Sequence, residues 1–167
     1  MKFLKTIDLF LIIFFIISIS GCVFNSDERT ISSIKDTARD VNERMLHAIE
    51  YKNADELKEL FSENLIESDK NLDEEIAAAF DFFQGNIISK NAPQYGEDGA
   101  MDDGVWTRYI VMPTNGNIKT DKGTEYTINS NHFVVYDSNP ECVGHASILI
   151  IDNNGTKCRI GDLYLVI

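Results

Sequence analysis

The spacing of apolar residues changes once along the chain, at Gly85, and this change constrains the fold more than any other feature. Before Gly85 apolar residues recur every three to four positions, which is the period of an amphipathic helix. After Gly85 they alternate with polar residues, which is the period of a half-buried strand. Helices followed by strands are typical of the α+β class, in which helices pack on one face of an antiparallel sheet.

Three helices are predicted before Gly85. A long helix runs from about Thr30 to about Tyr51, a short one follows an N-cap at Asn53, and a third begins near Leu72. Acidic residues in the first turns of the second and third helices are stabilised by the helix dipole. The predicted buried stripes of the three helices are Ile31, Ile34, Ala38, Val41, Met45 and Ala48; Leu57, Leu60 and Phe61; and Leu72, Ile76, Ala79, Phe80 and Phe83.

Four to five antiparallel strands are predicted after Gly85. Gly- and acid-rich residues make 92–103 a predicted loop, and further turns are expected around 115–117 and 121–123. A tight two-residue hairpin turn is expected within 152–155. The predicted strands are residues 86–90, 104–113, 124–136, 143–151 and 156–167.

The first 21 residues are predicted to be a secretory leader. Lys2 and Lys5 precede an apolar run at residues 9–19. This run is too short to span a bilayer comfortably, because spanning takes about 18–20 apolar residues. Whether the leader is cleaved or retained as an anchor, it places the rest of the chain outside the cytoplasmic membrane.

The end of this leader, Ile19-Ser20-Gly21-Cys22, resembles the lipobox of bacterial lipoproteins. The resemblance implies cleavage before Cys22 and attachment of acyl chains such as palmitate at that cysteine. Burial of the acyl carbons, at about 0.8 kcal/mol for each CH₂, would give a durable anchor. A polar tether at residues 22–30 and a single domain at residues 31–167 would follow, held at the extracytoplasmic face of the cell membrane.

The order of the predicted elements resembles the nuclear transport factor 2-like (cystatin-like α+β) fold, in which a curved sheet wraps around a long helix to form a cone. Residues 51–62 resemble the opening of that fold. Residues 72–76, 80–85 and 139–144 resemble an uncharacterised family of bacterial lipoproteins built on it. The resemblance implies a fold and a location, but it brings no catalytic signature. Proteins of this fold often dimerise through the open face of the sheet, so the resemblance also allows a homodimer.

The chain is strongly acidic, with 27 Asp and Glu against 15 Lys and Arg and a net charge of −12. A domain of this charge repels a phosphate backbone, so a nucleic-acid partner is excluded. Most of the acids fall in the helical part, where a solvated outer face accounts for them. The alternative is a protein-interaction role, such as immunity against a secreted toxin, in which the acidic face meets a basic partner.

Two cysteines remain beyond the leader, Cys142 and Cys158. The predicted hairpin places Cys158 opposite Ile151 or Leu149, seven to nine residues from Cys142, which is roughly 23–30 Å along a strand. Because bridged Cα atoms lie within about 7 Å, two buried thiols are expected in preference to a disulfide.

Polar residues interrupt the apolar alternation in the predicted strand 124–136, and such a break often marks a cavity lining. If these strand faces point into the cone, a mixed pocket for a small molecule results. The hypothesis of an isomerase or dehydratase adds that His132 acts there as a general base beside a pocket carboxylate. The alternative is that these side chains are core and surface residues without a site. The candidate pocket residues are Trp106, Tyr109, Asn131, His132 and His145.

No spacing typical of a metal or cofactor site occurs. The four acids of residues 97–103 lack the alternating pattern of a calcium loop. On a strand, Cys142 and His145 would point to opposite faces. A nucleophilic triad, a phosphate-binding loop and zinc spacing are absent from the sequence. The sequence therefore predicts no catalytic set, cofactor or metal, and favours a membrane-anchored domain that binds an unknown small ligand or protein.

Overall fold

The structure, a computed structural model, describes residues 31–162. The predicted leader, Cys22 and the tether lie outside these residues, as do the final five residues of the chain. No helix of the described range is long and apolar enough to cross a membrane.

Four α-helices precede the sheet within residues 31–162: α1 (Ile31–Tyr51), α2 (Ala54–Glu59), α3 (Glu63–Ser68) and α4 (Leu72–Phe82). The bounds predicted for α1 and the start predicted for α4 are confirmed. The Asn53 side chain accepts a hydrogen bond from the Glu56 amide at 3.3 Å, which confirms the predicted N-cap of α2.

The prediction of three helices is wrong, because α3 is a separate short helix. The Ser62 hydroxyl caps it by accepting a hydrogen bond from the amide of Leu65 at 3.3 Å. Leu65 is fully buried, so packing against the core stabilises a helix that is too short to form alone.

Six strands form one antiparallel sheet: β1 (Ile87–Ser89), β2 (Gln94–Asp102), β3 (Val105–Thr120), β4 (Glu125–Tyr136), β5 (Gly144–Asp152) and β6 (Lys157–Ile160). Their order is β1-β3-β4-β5-β6, and β2 pairs with a different stretch of β3. A short 3₁₀ helix, Pro140–Cys142, connects β4 to β5. The α+β class and the antiparallel sheet are confirmed.

Two predictions about the sheet are wrong. Residues 92–103 were expected to form a loop, but Gln94–Asp102 form β2, whose nine residues are all exposed and pair with β3. The turn expected at 115–117 lies within β3, where a register shift between Asn115 and Ile118 forms a bulge and Asn117 adopts a φ of 53°. The sheet therefore has six strands in place of four to five.

The hairpin between β5 and β6 is one residue longer than predicted. The amide of Asp152 donates to the carbonyl of Thr156 at 3.0 Å, so three residues form the loop, and Gly155 adopts a φ of 80°. Cys158 therefore pairs with Ile150, not with Ile151 or Leu149. Within residues 31–162 no disulfide joins Cys142 and Cys158. Cys142 is buried as predicted, whereas Cys158 is only partly buried.

The core has two parts. The larger part lies between the helices and the sheet and includes Met45, Leu57 and Ile148. The smaller part lies under the first half of α1, where Ile34, Ala38, Tyr109, Val111 and Val135 pack together. This smaller cluster holds the first half of α1 against β3.

A buried amide pair fixes how α1 lies on the sheet. Asn42 and Asn115 donate to each other at 3.1 and 2.8 Å, and each is no more than 1% exposed. Asn115 also donates to the carbonyl of Ile128 in β4 at 3.4 Å. Because a shift of α1 would leave these amides unpaired in the interior, the pair fixes the register of the helix.

Candidate functional site

A cleft opens between the first half of α1 and the strands β2 and β3. Its volume is about 260 Å³, below the range of roughly 300–1,000 Å³ that is usual for drug-sized ligands. The cleft therefore suits a small molecule. Its lining residues are Lys35, Ala38, Arg39, Tyr95, Glu97 and Val111.

A carboxylate is held in place at one side of the cleft. The Tyr109 hydroxyl donates a hydrogen bond to Glu97, and the Lys35 ammonium lies 3.2 Å from Glu97 Oε1. The bond from Tyr109, supported by Lys35, lowers the pKa of Glu97. Burial, reinforced by Glu97, raises the pKa of Tyr109 to about 12, so its hydroxyl stays a proton donor at neutral pH. Glu97 is therefore ionised and fixed in position.

Two cations of α1, Lys35 and Arg39, also line the cleft. Lys35 and Arg39 are four residues apart on α1, a spacing that places both on the same side of a helix. Arg39 Nη1 lies 3.2 Å from Asp36 Oδ1. Both cationic side chains are at least half exposed, so each is accessible to a ligand.

The floor of the cleft is apolar. Ala38 of α1 and Val111 of β3 are both buried and belong to the smaller core cluster. Tyr95 of β2 lies at the side with a partly exposed ring, and burial raises its pKa. An apolar floor with a few charged groups around it is the usual construction of a small-molecule site.

Two predicted site residues, His132 and His145, meet in the interior one strand away from the cleft. His132 pairs with Val111 across β3 and β4, and its ring centroid lies 4.8 Å from that of His145. Phe61 packs edge-on against His145 at 6.0 Å. Nδ1 of His132 and both ring nitrogens of His145 are buried without a well-oriented hydrogen-bond partner in residues 31–162.

Burial keeps this histidine pair neutral. It lowers the pKa of His132 to about 4. The pKa of His145 lies well below its ordinary value because of burial first and of charge on His132 second, with the Asn131 main chain acting in the opposite direction. The pair is a buried, uncharged element of the core at neutral pH.

The remaining predicted residues lie elsewhere. Trp106 packs edge-on against Tyr109 with ring centroids 4.6 Å apart, close to the cleft. Asn131 of β4 donates to the hydroxyl of Ser147, its partner in β5, at 2.8 Å. A bulge between Asn131 and His132 separates this pair from the two histidines. The structure thus pairs four of the five candidates, Trp106 with Tyr109 and His132 with His145, whereas Asn131 bonds Ser147. Of these five, Tyr109 donates to the cleft residue Glu97.

The enzyme hypothesis requires a carboxylate within hydrogen-bonding distance of His132. Within the described range no such carboxylate contacts His132, whose low pKa has burial as its cause. The same residues contain no group of three or more His, Cys, Asp or Glu side chains arranged to hold a metal. The geometry around His132 is that of a packed interior.

A second depression of about 270 Å³ lies where β4 ends, beside the 3₁₀ helix. Five of its six lining residues are Val134, Val135, Tyr136, Pro140 and Val143, and the sixth, Asp137, is acidic. Its lining within the described residues contains no cationic residue, whereas the lining of the cleft contains charged residues of both signs. The cleft is therefore the stronger candidate site.

Sequence reasoning missed the residues that line the cleft. The spacing of Lys35 and Arg39 was visible in the sequence, but basic residues four apart are common on solvated helix faces. The sequence predicts a loop at residues 92–103, which include Tyr95 and Glu97. Only their pairing with β3, Tyr95 with Pro113 and Glu97 with Val111, places them beside α1.

One known protein family matches most of the described chain. The family model of the domain of unknown function DUF5104 matches residues 44–153, which extend from α1 through the last strand-to-strand loop. No curated protein matches the chain. The matched range contains β2 and β3 with Tyr95, Glu97 and Val111, whereas Lys35 and Arg39 precede it. Because the match covers about two thirds of the 167 residues, the chain belongs to the DUF5104 family.

Proposed function

We propose that this protein is a lipid-anchored, non-catalytic binding domain on the outer side of the cytoplasmic membrane, and that it holds a small ligand in the cleft between α1 and β2–β3. The observation that carries the proposal is the construction of the cleft. An apolar floor at Ala38 and Val111 is flanked by a fixed carboxylate, Glu97, and by two accessible cations.

The cone of the nuclear transport factor 2-like fold is part of the same proposal. A long α1 that packs on the sheet supports it, as do the bulges in β3 and β4. In such a cone a ligand would be held between the long helix and the sheet, and the position of the cleft between α1 and the strands β2 and β3 supports this proposal.

The anchor is proposed from the sequence of residues 19–22. Radiolabelled palmitate should be incorporated into the chain in bacterial cells, and Cys22→Ala should abolish the label and release the protein from the membrane fraction. Label that persists in the variant would contradict the anchor and leave the proposal for the cleft intact.

Ligand binding is tested by thermal unfolding of the full chain in detergent micelles with a library of small metabolites. A ligand at ten times its Kd stabilises the folded state by about 1.4 kcal/mol. Ala38→Leu narrows the cleft floor and should remove that stabilisation. Ala77→Leu is the matched control, because Ala77 is an exposed residue of α4. Ligands that stabilise the wild type and Ala38→Leu equally would contradict the cleft as the binding site.

A further inference from the structure

We infer that the ligand of the cleft is a small amphipathic molecule with a carboxylate group. The inference rests on the proposed function, since it assigns the chemistry of a ligand to the same cleft. The carboxylate would bind Arg39 and Lys35, and the hydrocarbon part would lie on the floor.

The hydrogen-bonding capacity of the cleft favours an anion. An ammonium has three N–H donors and a guanidinium has five. Within the described residues Lys35 reaches one carboxylate oxygen, of Glu97, and Arg39 reaches one, of Asp36. Most donors of both side chains therefore remain for a ligand. Glu97 already accepts from Tyr109 and Lys35, so its oxygens have less capacity to bind a cationic ligand.

The position of the cations fits a carboxylate at the rim. Lys35 is 50% exposed and Arg39 is 66% exposed, so a ligand can reach both without a prior opening of the core. Arg39 presents a planar fork that binds a carboxylate with two parallel hydrogen bonds. A flexible lysine four residues away adds a second positive charge.

The floor selects an apolar body of limited size. Ala38 and Val111 offer hydrocarbon, and the partly exposed Tyr95 ring closes one side. Burial of ligand hydrocarbon on this floor favours binding. A volume of about 260 Å³ accommodates a ring or a short chain.

Glu97 has a definite role under this inference, because it competes with the ligand for Lys35. Neutralising Glu97 would release the ammonium and remove a negative charge beside the bound carboxylate. Glu97→Gln should therefore strengthen carboxylate binding. A site that recognises a cation through Glu97 would respond in the opposite way.

The test uses three probes of the same shape: cyclohexanecarboxylate, its neutral methyl ester, and cyclohexanemethylamine. Trp106 is the only tryptophan of the chain, so its emission follows urea unfolding of the full chain in detergent micelles. The shift of the unfolding midpoint with probe concentration gives each Kd, because a ligand that binds the folded state stabilises it.

We expect the carboxylate to bind more tightly than the ester and the amine. Arg39→Gln should raise its Kd about tenfold, the effect of losing one charge-assisted hydrogen bond. Glu97→Gln should lower it. Arg44→Gln is the matched control on the same helix, because Arg44 pairs with Glu59 outside the cleft, and it should leave the Kd unchanged.

Three results would overturn the inference. These are tighter binding of the amine or the ester, an unchanged Kd in Arg39→Gln, and stabilisation by none of the three probes. Binding of the amine or ester that Ala38→Leu abolishes would overturn the carboxylate alone and leave the proposed function standing. The metabolite screen with Ala38→Leu decides the proposed function independently of these probes.

Discussion

The buried histidine pair makes the stability of this domain depend on pH in a defined window. His132 is 7% exposed and His145 is fully buried, and their rings are in contact at 4.8 Å. The pKa of His132 falls from 6.5 to about 4 on folding, because burial penalises the imidazolium. Between these values the unfolded chain binds a proton that the folded chain does not bind.

The sign and size of the effect follow from this difference. A group whose pKa is lower in the folded state makes the folded state less stable as the pH falls. The loss begins near pH 6.5 and continues to about pH 4. Each pH unit corresponds to about 1.4 kcal/mol, so His132 alone accounts for roughly 3 kcal/mol over this window. The pKa of His145 is lowered in the same direction, so its contribution adds to the loss.

The assay is urea unfolding at pH values between 4 and 7.5, followed by Trp106 emission. We expect His132→Gln to flatten the pH dependence by about 3 kcal/mol relative to the wild type, because Gln does not titrate. Protonation of carboxylates lowers the free energy of unfolding of both proteins alike, so the difference between the two pH profiles gives the contribution of His132. His47→Gln is the control, since His47 is exposed on α1 and bonds Glu56 at its surface.

Identical pH profiles for the wild type and His132→Gln would show that His132 does not cause the loss of stability. An imidazole titration by NMR that places the pKa of His132 near 6.5 would show the same. If His132→Gln is too unstable to measure, that NMR titration of the wild type decides the question alone.

Two further predictions concern residues that hold the fold around the cleft. Asn42→Ala should lower the free energy of unfolding by about 2–3 kcal/mol, because it leaves the buried amide of Asn115 without its partner; a loss below 0.5 kcal/mol in urea unfolding would contradict the role of the pair. Gly144→Ala should lower the free energy of unfolding by more than 2 kcal/mol, because φ of Gly144 is +130° and a Cβ there would lie 2.6 Å from the Ser62 amide nitrogen. Gly104→Ala should lower it by about 1 kcal/mol, because its Cβ would meet no atom within 4 Å and only the positive φ is unfavourable. Equal thermal shifts in the two variants would contradict this difference.

Elements with a clear apolar period were predicted from the sequence. The bounds of α1 and the N-cap at Asn53 are correct because a stripe of apolar residues and a capping side chain are local signals. β4 and β5 were predicted to within two residues for the same reason. The α+β class followed from the order of these elements.

Strand β2 was not predicted because its own sequence carries no local signal of a strand. Gln94–Asp102 contains two glycines and three acids, and none of its residues is buried, so no apolar alternation marks it. Its conformation is stabilised by pairing with β3, which is a contact between segments of the chain and leaves no period in β2 itself. The bulge at Asn117 was mistaken for a turn because Asn and Gly serve both structures.

The cleft could not be predicted for a related reason. It forms where residues 35–39 of α1 meet residues 95–97 of β2, some sixty positions apart in the chain. The sequence singled out histidines and a tryptophan because these residue types often line pockets. The structure buries the two histidines in the core. The accessible charges of the cleft belong to Lys35, Arg39 and Glu97, whose sequence context is that of ordinary surface residues.

Heteronuclear NMR of the full chain in micelles, with a diverse set of small fragments, would show directly whether the cleft binds ligands. We expect the amide shifts caused by binding fragments to cluster at residues 35–39, 95–97 and 111. Shifts that cluster at the depression beside the 3₁₀ helix would contradict it. A spectrum that no fragment perturbs would contradict it equally and would favour a protein partner for this domain.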